Sequence, residues 1–281
     1  MRFIVATYYD VFIADDTGRI LEVLCTSPAL IGHYGITWDE EFLYLTCSEC
    51  TDPEDHQWIA LLNHDLRVYT KKLYRQLVGT HDIICHDGWL WCCSTSRDQV
   101  VGWHKKTGAV EVWEPEEGRQ GHGHLNSIWF GPDYVLLAFH FFGKGPRVCM
   151  YSWPERRLLE TWPIDSSVGI HNAYMHQGKL ITLCPGWISW GNDPYVIAGG
   201  LKNLHALAVT PDKVLVGGSN WIPNRVERQK DPAGCVNILD PDTLERIKLL
   251  PFGRGPVSTI RVLDEPDLAH HGMPWSGRYG A

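Results

Sequence analysis

Apolar residues recur along this chain in short runs, many alternating with polar ones, and turn-forming residues close almost every run. The clearest block spans 82–113. Its stretches 82–85, 89–94, 99–104 and 109–113 are joined by Asp87-Gly88, Ser96-Arg97-Asp98 and Lys105-Lys106-Thr107-Gly108. Alternation with a period of two, bounded by such residues, predicts antiparallel strands of one small sheet. The same pattern predicts strands at 2–7 and 11–24, with Asp16-Thr17-Gly18 as a hairpin turn, and at 42–46, 57–63, 68–77, 134–140, 147–153 and 158–163. Further strands are expected at 179–183, 213–217, 234–239 and 244–251. Two stretches break the pattern. Residues 185–194 and 219–232 are rich in Trp, Pro and Asn and read as irregular loops, the kind of segment that carries function on a rigid scaffold.

A short apolar strand opens each block, and a histidine opens that strand five times. His33, His81, His124, His171 and His205 are separated by 48, 43, 47 and 34 residues. A repeat of roughly 40 to 50 residues made of several short strands predicts a β-propeller. Residues 2–24 have no such strand in front of them, but 256–264 supplies one at the other end of the sequence. The expected architecture is therefore all-β, a six-bladed propeller over 1–281 as a single domain, with N- and C-terminal segments sharing the closing blade. That arrangement leaves no long sheet edge exposed.

Composition narrows the function. A formal charge of −8 lacks the Lys and Arg excess that neutralises phosphates, so nucleic acid is excluded as the expected partner. The first ten residues are too short an apolar stretch for a signal peptide, and no later run approaches the ~18 apolar residues of a membrane span. The chain reads as soluble and cytoplasmic, with no membrane partner and a small molecule as the expected ligand. Nine cysteines, an odd number lying mostly in apolar strands, read as buried free thiols. Cys47 and Cys50 have the C-x-x-C form but lack a second pair at zinc-ribbon spacing. Thirteen tryptophans and eleven tyrosines suit faces that pack blade on blade.

The short strand-turn-strand blades resemble, over most of the chain, the six-bladed propellers of the senescence-marker-protein/gluconolactonase and NHL groups, which implies the architecture alone. His124-Leu125-Asn126-Ser127 resembles the His-Leu-Asn-Gly motif of an uncharacterised bacterial propeller family, with Ser in place of Gly. Gly32-His33 and Gly123-His124 are similar to the Gly-His pair of WD repeats, but Trp103-His104 stands where those repeats carry Trp-Asp. The gluconolactonase group binds its metal with Glu, Asn and Asp. This chain offers histidines instead.

Equivalent positions of propeller blades converge on the axis, so His33, His81, His124, His171 and His205 are expected to ring a metal ion. Neutral imidazoles suit a transition metal, here Fe first, with Zn, Mn or Cu as alternatives, and disfavour Ca. The design is similar to the four-histidine iron site of the seven-bladed carotenoid cleavage oxygenases. The sixth slot holds Ser258, which leaves a coordination position open, as catalysis requires. His122 is a substitute for or supplement to His124, and His270 or His271 a possible exchanging ligand. His86 and His176 read as packing residues. Asp82, Asn126 and Asn172 are placed to orient imidazoles. Tyr34, Asp82 and Arg225 are the acid-base candidates, and Asn126, Asn172, Trp187, Trp190 and Trp221 the candidate substrate contacts. No Ser-His-Asp triad, P-loop or dinucleotide motif is present. The expected function is a metal-dependent enzyme performing iron-type oxidative chemistry on a small organic substrate. A Zn- or Mn-dependent hydrolase or lyase, and a non-catalytic propeller binding a ligand or protein partner, are the alternatives.

Overall fold

Six four-stranded antiparallel sheets, each built as a meander, are arranged as the blades of a propeller. The computed structural model describes residues 1–26, 35–48, 56–115, 123–140, 145–165, 169–190, 193–196, 201, 203–220, 222, 227, 232–270 and 272–281. Blade one joins β1 (Arg2–Thr7), β2 (Asp10–Asp15) and β3 (Ile20–Thr26) to a strand from the far end of the chain. Blade two holds β4 (Ile36–Trp38), β5 (Leu43–Ser48), β6 (His56–Leu62) and β7 (Val68–Val78); blade three holds β8 (Ile83–His86), β9 (Trp89–Ser94), β10 (Gln99–His104) and β11 (Val110–Trp113). Blade four comprises β12 (Leu125–Phe130), β13 (Tyr134–Phe139), β14 (Arg147–Ser152) and β15 (Leu158–Pro163). Blade five comprises β16 (Asn172–His176), β17 (Lys179–Cys184), β18 (Trp187–Trp190) and β19 (Asp193–Val196). Blade six contains β20 (Asn203–Val209), β21 (Val214–Ser219), β22 (Cys235–Leu239) and β23 (Arg246–Pro251), and β24 (Val257–Val262) completes blade one.

The turns form where the sequence dictates. Asp87-Gly88 and Gln177-Gly178 have positive φ at both positions (48° and 80°, 48° and 75°), the conformation that makes a two-residue hairpin follow the strand twist. The terminal closure is also as expected. Phe3 pairs with Val262 and Val5 with Ile260, and Arg2 clamps Asp264 through its backbone N–H (2.8 Å) and Nε (2.9 Å). Blade five departs from expectation. Residues 187–190 and 193–196 are its third and fourth strands rather than an irregular loop, with Trp187 paired to Cys184 and Trp190 to Asp193. Their Trp, Pro and Gly content hid a ladder that backbone pairing with a buried neighbour stabilises regardless of propensity.

Inner and second strands are buried and outer strands are wet, as in β17 against β15. The core lies between blades. Phe3, Phe12 and Ile260 of blade one pack on Ala206, Val236 and Ile238 of blade six, and Ile84, Trp91 and Val100 of blade three pack on Leu125, Leu137 and Phe139 of blade four. Gly102 allows that fit: a Cβ there would lie 2.3 Å from the Trp91 ring. Buried area of this kind stabilises by about 25 cal/mol per Å².

The tail, which showed no periodicity, crosses the face where the inner strands end. Trp275 is fully buried and its backbone N–H donates to Leu263 O (2.8 Å); the backbone N–H of Leu268 donates to Val209 O (2.7 Å) and that of Arg278 to His64 O (2.7 Å). Asp267 accepts from the backbone N–H groups of Val209, Val262 and Ala269. His270 stands 3.2 Å from Asp267, tied to the tail; His271 lies outside the described residues.

Beneath the axis one buried ion pair spans the ring. Arg261 on β24 reaches Asp82, just before β8, at 3.0 Å, and its Nε donates to Ile36 O of blade two (2.8 Å). Three blades thus meet on one guanidinium, which is 2% exposed. Removing one partner of such a pair strands a buried charge. Arg261→Met is expected to lower unfolding free energy by about 3–5 kcal/mol in urea denaturation. Adding Asp82→Asn should recover a large part of the loss, because an amide oxygen still accepts from the backbone without leaving a charge.

Candidate functional site

The hairpins that end the inner strands fix which residues are equivalent. The pairs His86 with Trp89 and His176 with Lys179 close blades three and five. Gly131 with Tyr134, Thr210 with Lys213 and Leu263 with Arg2 close blades four, six and one. Five positions before His86, Gly131, His176, Thr210 and Leu263 stand His81, Asn126, His171, His205 and Ser258. In blades four, six and one that residue is the extra one of a β-bulge, between Leu125 and Ser127, between Leu204 and Ala206, and opposite the Ala6/Thr7 shift. A bulge re-aims the side chain that it carries. All five residues line one axial cavity of about 20 Å³, together with Asp82, Asn172 and Arg261, a space that admits one water-sized particle.

This register corrects the sequence reading at His124. Asn126, not His124, holds blade four's place on the axis, and His124 precedes it with φ of 54°. The alignment on histidines failed there because a bulge adds a residue that periodicity does not reveal. In blade two, His33 and Tyr34 lie outside the described residues, as do His122, Arg225, Trp221 and Cys50. His81, His171, His205 and Ser258 line the axial cavity.

The imidazoles nonetheless form one continuous run. Ring centroids are 5.0 Å apart for His81 and His124, 5.3 Å for His124 and His140, 4.5 Å for His140 and His171, and 3.8 Å for His171 and His205. His140, which follows β13, was missed because it ends a second strand rather than opening an inner one. Its signal was the unbroken apolar run before it. Gly169, at φ +88°, lies directly against its ring, where a Cβ would meet Cε1 at 2.5 Å.

Hydrogen bonds assign the ring protons. Asn126 Nδ2 donates to Ile170 O (2.9 Å), a group that can only accept, so its Oδ1 must face His81 Nδ1 and its other N–H faces His171 Nδ1 (3.1 Å). His81 is therefore the Nδ1–H tautomer and His171 the Nε2–H tautomer. His140 Nδ1 donates to Ile170 O at 2.6 Å, leaving Nε2 as its basic nitrogen. For His205 the chain of assignment starts at Ser219, whose hydroxyl donates to Asn220 O and accepts from Asn203 Nδ2 (both 3.2 Å). Asn203 Oδ1 then accepts from His205 Nε2 (3.0 Å), and Nδ1 is the basic nitrogen. Asn172 Nδ2 donates to His205 O (2.7 Å), so it positions backbone rather than a ring.

Burial holds these imidazoles neutral. It pushes His81 and His171 well below the ordinary imidazole range, helped by neighbouring rings, and lowers His140 to about 4 against the pull of the Ile170 carbonyl. Burial also pushes the Asp82 carboxyl up, opposed by Arg261 and the Ile128 and Ile83 N–H groups. Both Asp82 oxygens are engaged by those donors, an anchoring arrangement.

Neutral nitrogen donors are what a transition metal requires. Among the described residues, however, no three His, Cys, Asp or Glu side chains are arranged to hold one ion. Asn126 engages a nitrogen on each of two axial imidazoles, and Asn203 one on the third. His81 Nε2 and His205 Nδ1 are basic, while His171 must release Asn126 before it can ligate. Trp187 is half-buried beside Ala138 and Ile170, between blades four and five. His86 stacks on Phe130 at 4.0 Å, a packing role as expected.

No family model matches the chain, and no curated protein matches it. Its likeness to solved structures is one of shape. A chain of a nidogen/laminin complex is 11% identical, with 92% of this chain and 97% of that one covered at a TM-score of 0.67. A protein of unknown function from Bacteroides caccae is 13% identical, with the same coverage and a TM-score of 0.64. The WD40 propeller domain of Doa1 is 12% identical over 91% of this chain and 80% of that one, at 0.56. At these identities the comparisons show the propeller fold and nothing of the chemistry.

The depressed imidazoles make stability pH-dependent. Unfolded histidines take up protons below about 6.5, whereas His81, His140 and His171 in the fold do not. Their contribution is fully present above that value and is lost as pH falls toward the folded values. Chelator-treated protein is expected to be less stable at pH 5.5 than at pH 7.5, each such imidazole contributing at most about 1.4 kcal/mol per pH unit below its unfolded value, measured by denaturant titration at both values.

Proposed function

We propose that His81, His171 and His205 bind a transition-metal ion on the propeller axis, and that this ion serves metal-dependent chemistry on a small organic substrate. One observation carries the reading: imidazoles from three blades line a single cavity the size of one ion, and burial holds two of them, His81 and His171, neutral. Asp82 is committed to Arg261, so the available donors are nitrogens. An all-nitrogen set suits Zn, Cu or Fe(II) better than Mn, which favours carboxylates, and three histidines leave a coordination position for water or substrate. Oxidative chemistry follows from Fe or Cu, and hydrolysis or elimination from Zn. Binding requires His171 to exchange its Asn126 contact for the metal. Asn126, still held by Ile170 O, then orients His81 through Nδ1–H, as an outer partner does for a ligating histidine.

A second reading is favoured by that same contact. Asn126 satisfies two imidazoles at once, so the axial layer is complete as a hydrogen-bonded plug, and the propeller would then serve as a non-catalytic scaffold that binds a ligand or protein partner.

Elemental analysis of unsupplemented protein separates the two. Near-stoichiometric Zn, Fe or Cu is expected, with Co(II) titration of the metal-free protein producing visible absorption. Both signals should vanish in a His81→Ala/His171→Ala variant that keeps the wild-type circular dichroism. Metal-free protein that gives no Co(II) spectrum, or a double variant that retains the metal, would overturn the proposal in favour of the scaffold.

A further inference from the structure

A second cleft lies away from the axial cavity, at the face where the inner strands of blades two and three end. It holds about 1100 Å³, room for a ligand of cofactor size or larger. Its floor is a closed unit: Asp39 accepts from Tyr44 Oη (2.7 Å), Lys105 Nζ (2.6 Å) and the N–H groups of Glu41 and Phe42 (2.8 Å each). That floor is internally neutral and carries no spare charge for a ligand.

The walls are aromatic. β6 pairs Leu62 with Val68 and Leu61 with Thr70, so Tyr69 is the extra residue of a bulge. Tyr69 is 69% exposed, its ring 5.3 Å from Phe42 and inclined at 36°. Trp103 lines the blade-three side, with Lys72 Nζ 4.5 Å from its centroid. The same bulge recurs at the start of the outer strands of blades four and six, where it exposes Leu159 and Ile247; in blade two the residue it exposes is an aromatic one beside a cleft.

The rim mixes signs. Glu40, Glu41 and Asp87 would repel an anion, and Lys72 and Lys106 a cation, so the mixed rim disfavours a strongly charged ligand of either sign. The groups still offer both acceptors and donors. An added β-strand is equally disfavoured, because Lys71, Lys72 and the bulge blunt the edge of β7. A neutral ligand with apolar faces for the aromatic rings and hydroxyls for a mixed rim is a saccharide.

We propose that this cleft between blades two and three is a saccharide-binding site, with Tyr69 and Phe42 as the stacking platform and Trp103 opposite. It is independent of the metal reading. The test is isothermal titration with neutral cello-, malto-, chito-, manno- and galacto-oligosaccharides, backed by tryptophan fluorescence. At least one series should bind saturably and shift the emission. Tyr69→Ala, an exposed position that thermal unfolding can verify as folded, should weaken that binding about tenfold, and Trp103→Ala should weaken it while abolishing the emission shift. Absence of binding by all five series, or binding unchanged in Tyr69→Ala, would overturn the proposal. So would gel filtration showing a wild-type dimer that Tyr69→Ala converts to monomer, since the cleft would then be a contact between copies.

Discussion

The contact between Arg261 and Asp82 is the constraint on which the propeller depends. Six sheets in a ring leave a polar seam where their inner strands converge, because the first backbone groups of each inner strand have no ladder on the axial side. Arg261 fills part of that seam from the last strand of the chain. It joins the closing blade to blade two through a carbonyl and to blade three through a carboxylate. A guanidinium suits this position because its fork reaches several acceptors at once. The pair is buried beyond the reach of solvent screening, so its geometry must be held by the fold that it helps to close.

Above that pair, the axial side chains form a second polar layer with a different logic. No charge is needed there; the protons of His81 and His205 are directed by amides whose own orientation is set by a carbonyl or a hydroxyl. Asn126 is the hinge of the layer. It speaks to His81, His171 and the Ile170 carbonyl together, so the choice between a closed hydrogen-bonded layer and a ligating one rests on whether a single amide contact is released. The small size of the cavity sharpens this choice, since an ion that enters it meets the imidazoles directly.

Much of the fold was legible because turn chemistry is local. Asp87-Gly88 and Gln177-Gly178 declare their hairpins in two residues, and the orphan strand at 256–264 declared the closure of the ring. Blade five was not legible beyond its second strand, because Trp187 to Val196 owe their pairing to a neighbouring strand rather than to their own pattern. Three of the five histidines were placed on the axis for a sound reason, since they open inner strands. His124 was misplaced by a bulge, which shifts register without any change in composition. Arg261 sits inside an apolar run, where an arginine gives no hint that its partner is an aspartate 179 residues away, and His140 is marked only by the apolar run that it ends.

The shared closing blade has a consequence for how the chain is made. Strands β1 to β3 leave the ribosome before the rest of the propeller, yet the strand that completes their sheet comes some 250 residues after β1, on the order of tens of seconds at cellular elongation rates. Through that interval β1 presents an open, apolar edge of the kind that invites pairing with other chains. Arg261 arrives with the same late strand, so the polar seam and the sheet edge are closed in one event. The nascent propeller therefore stays exposed to mispairing until β24 has emerged.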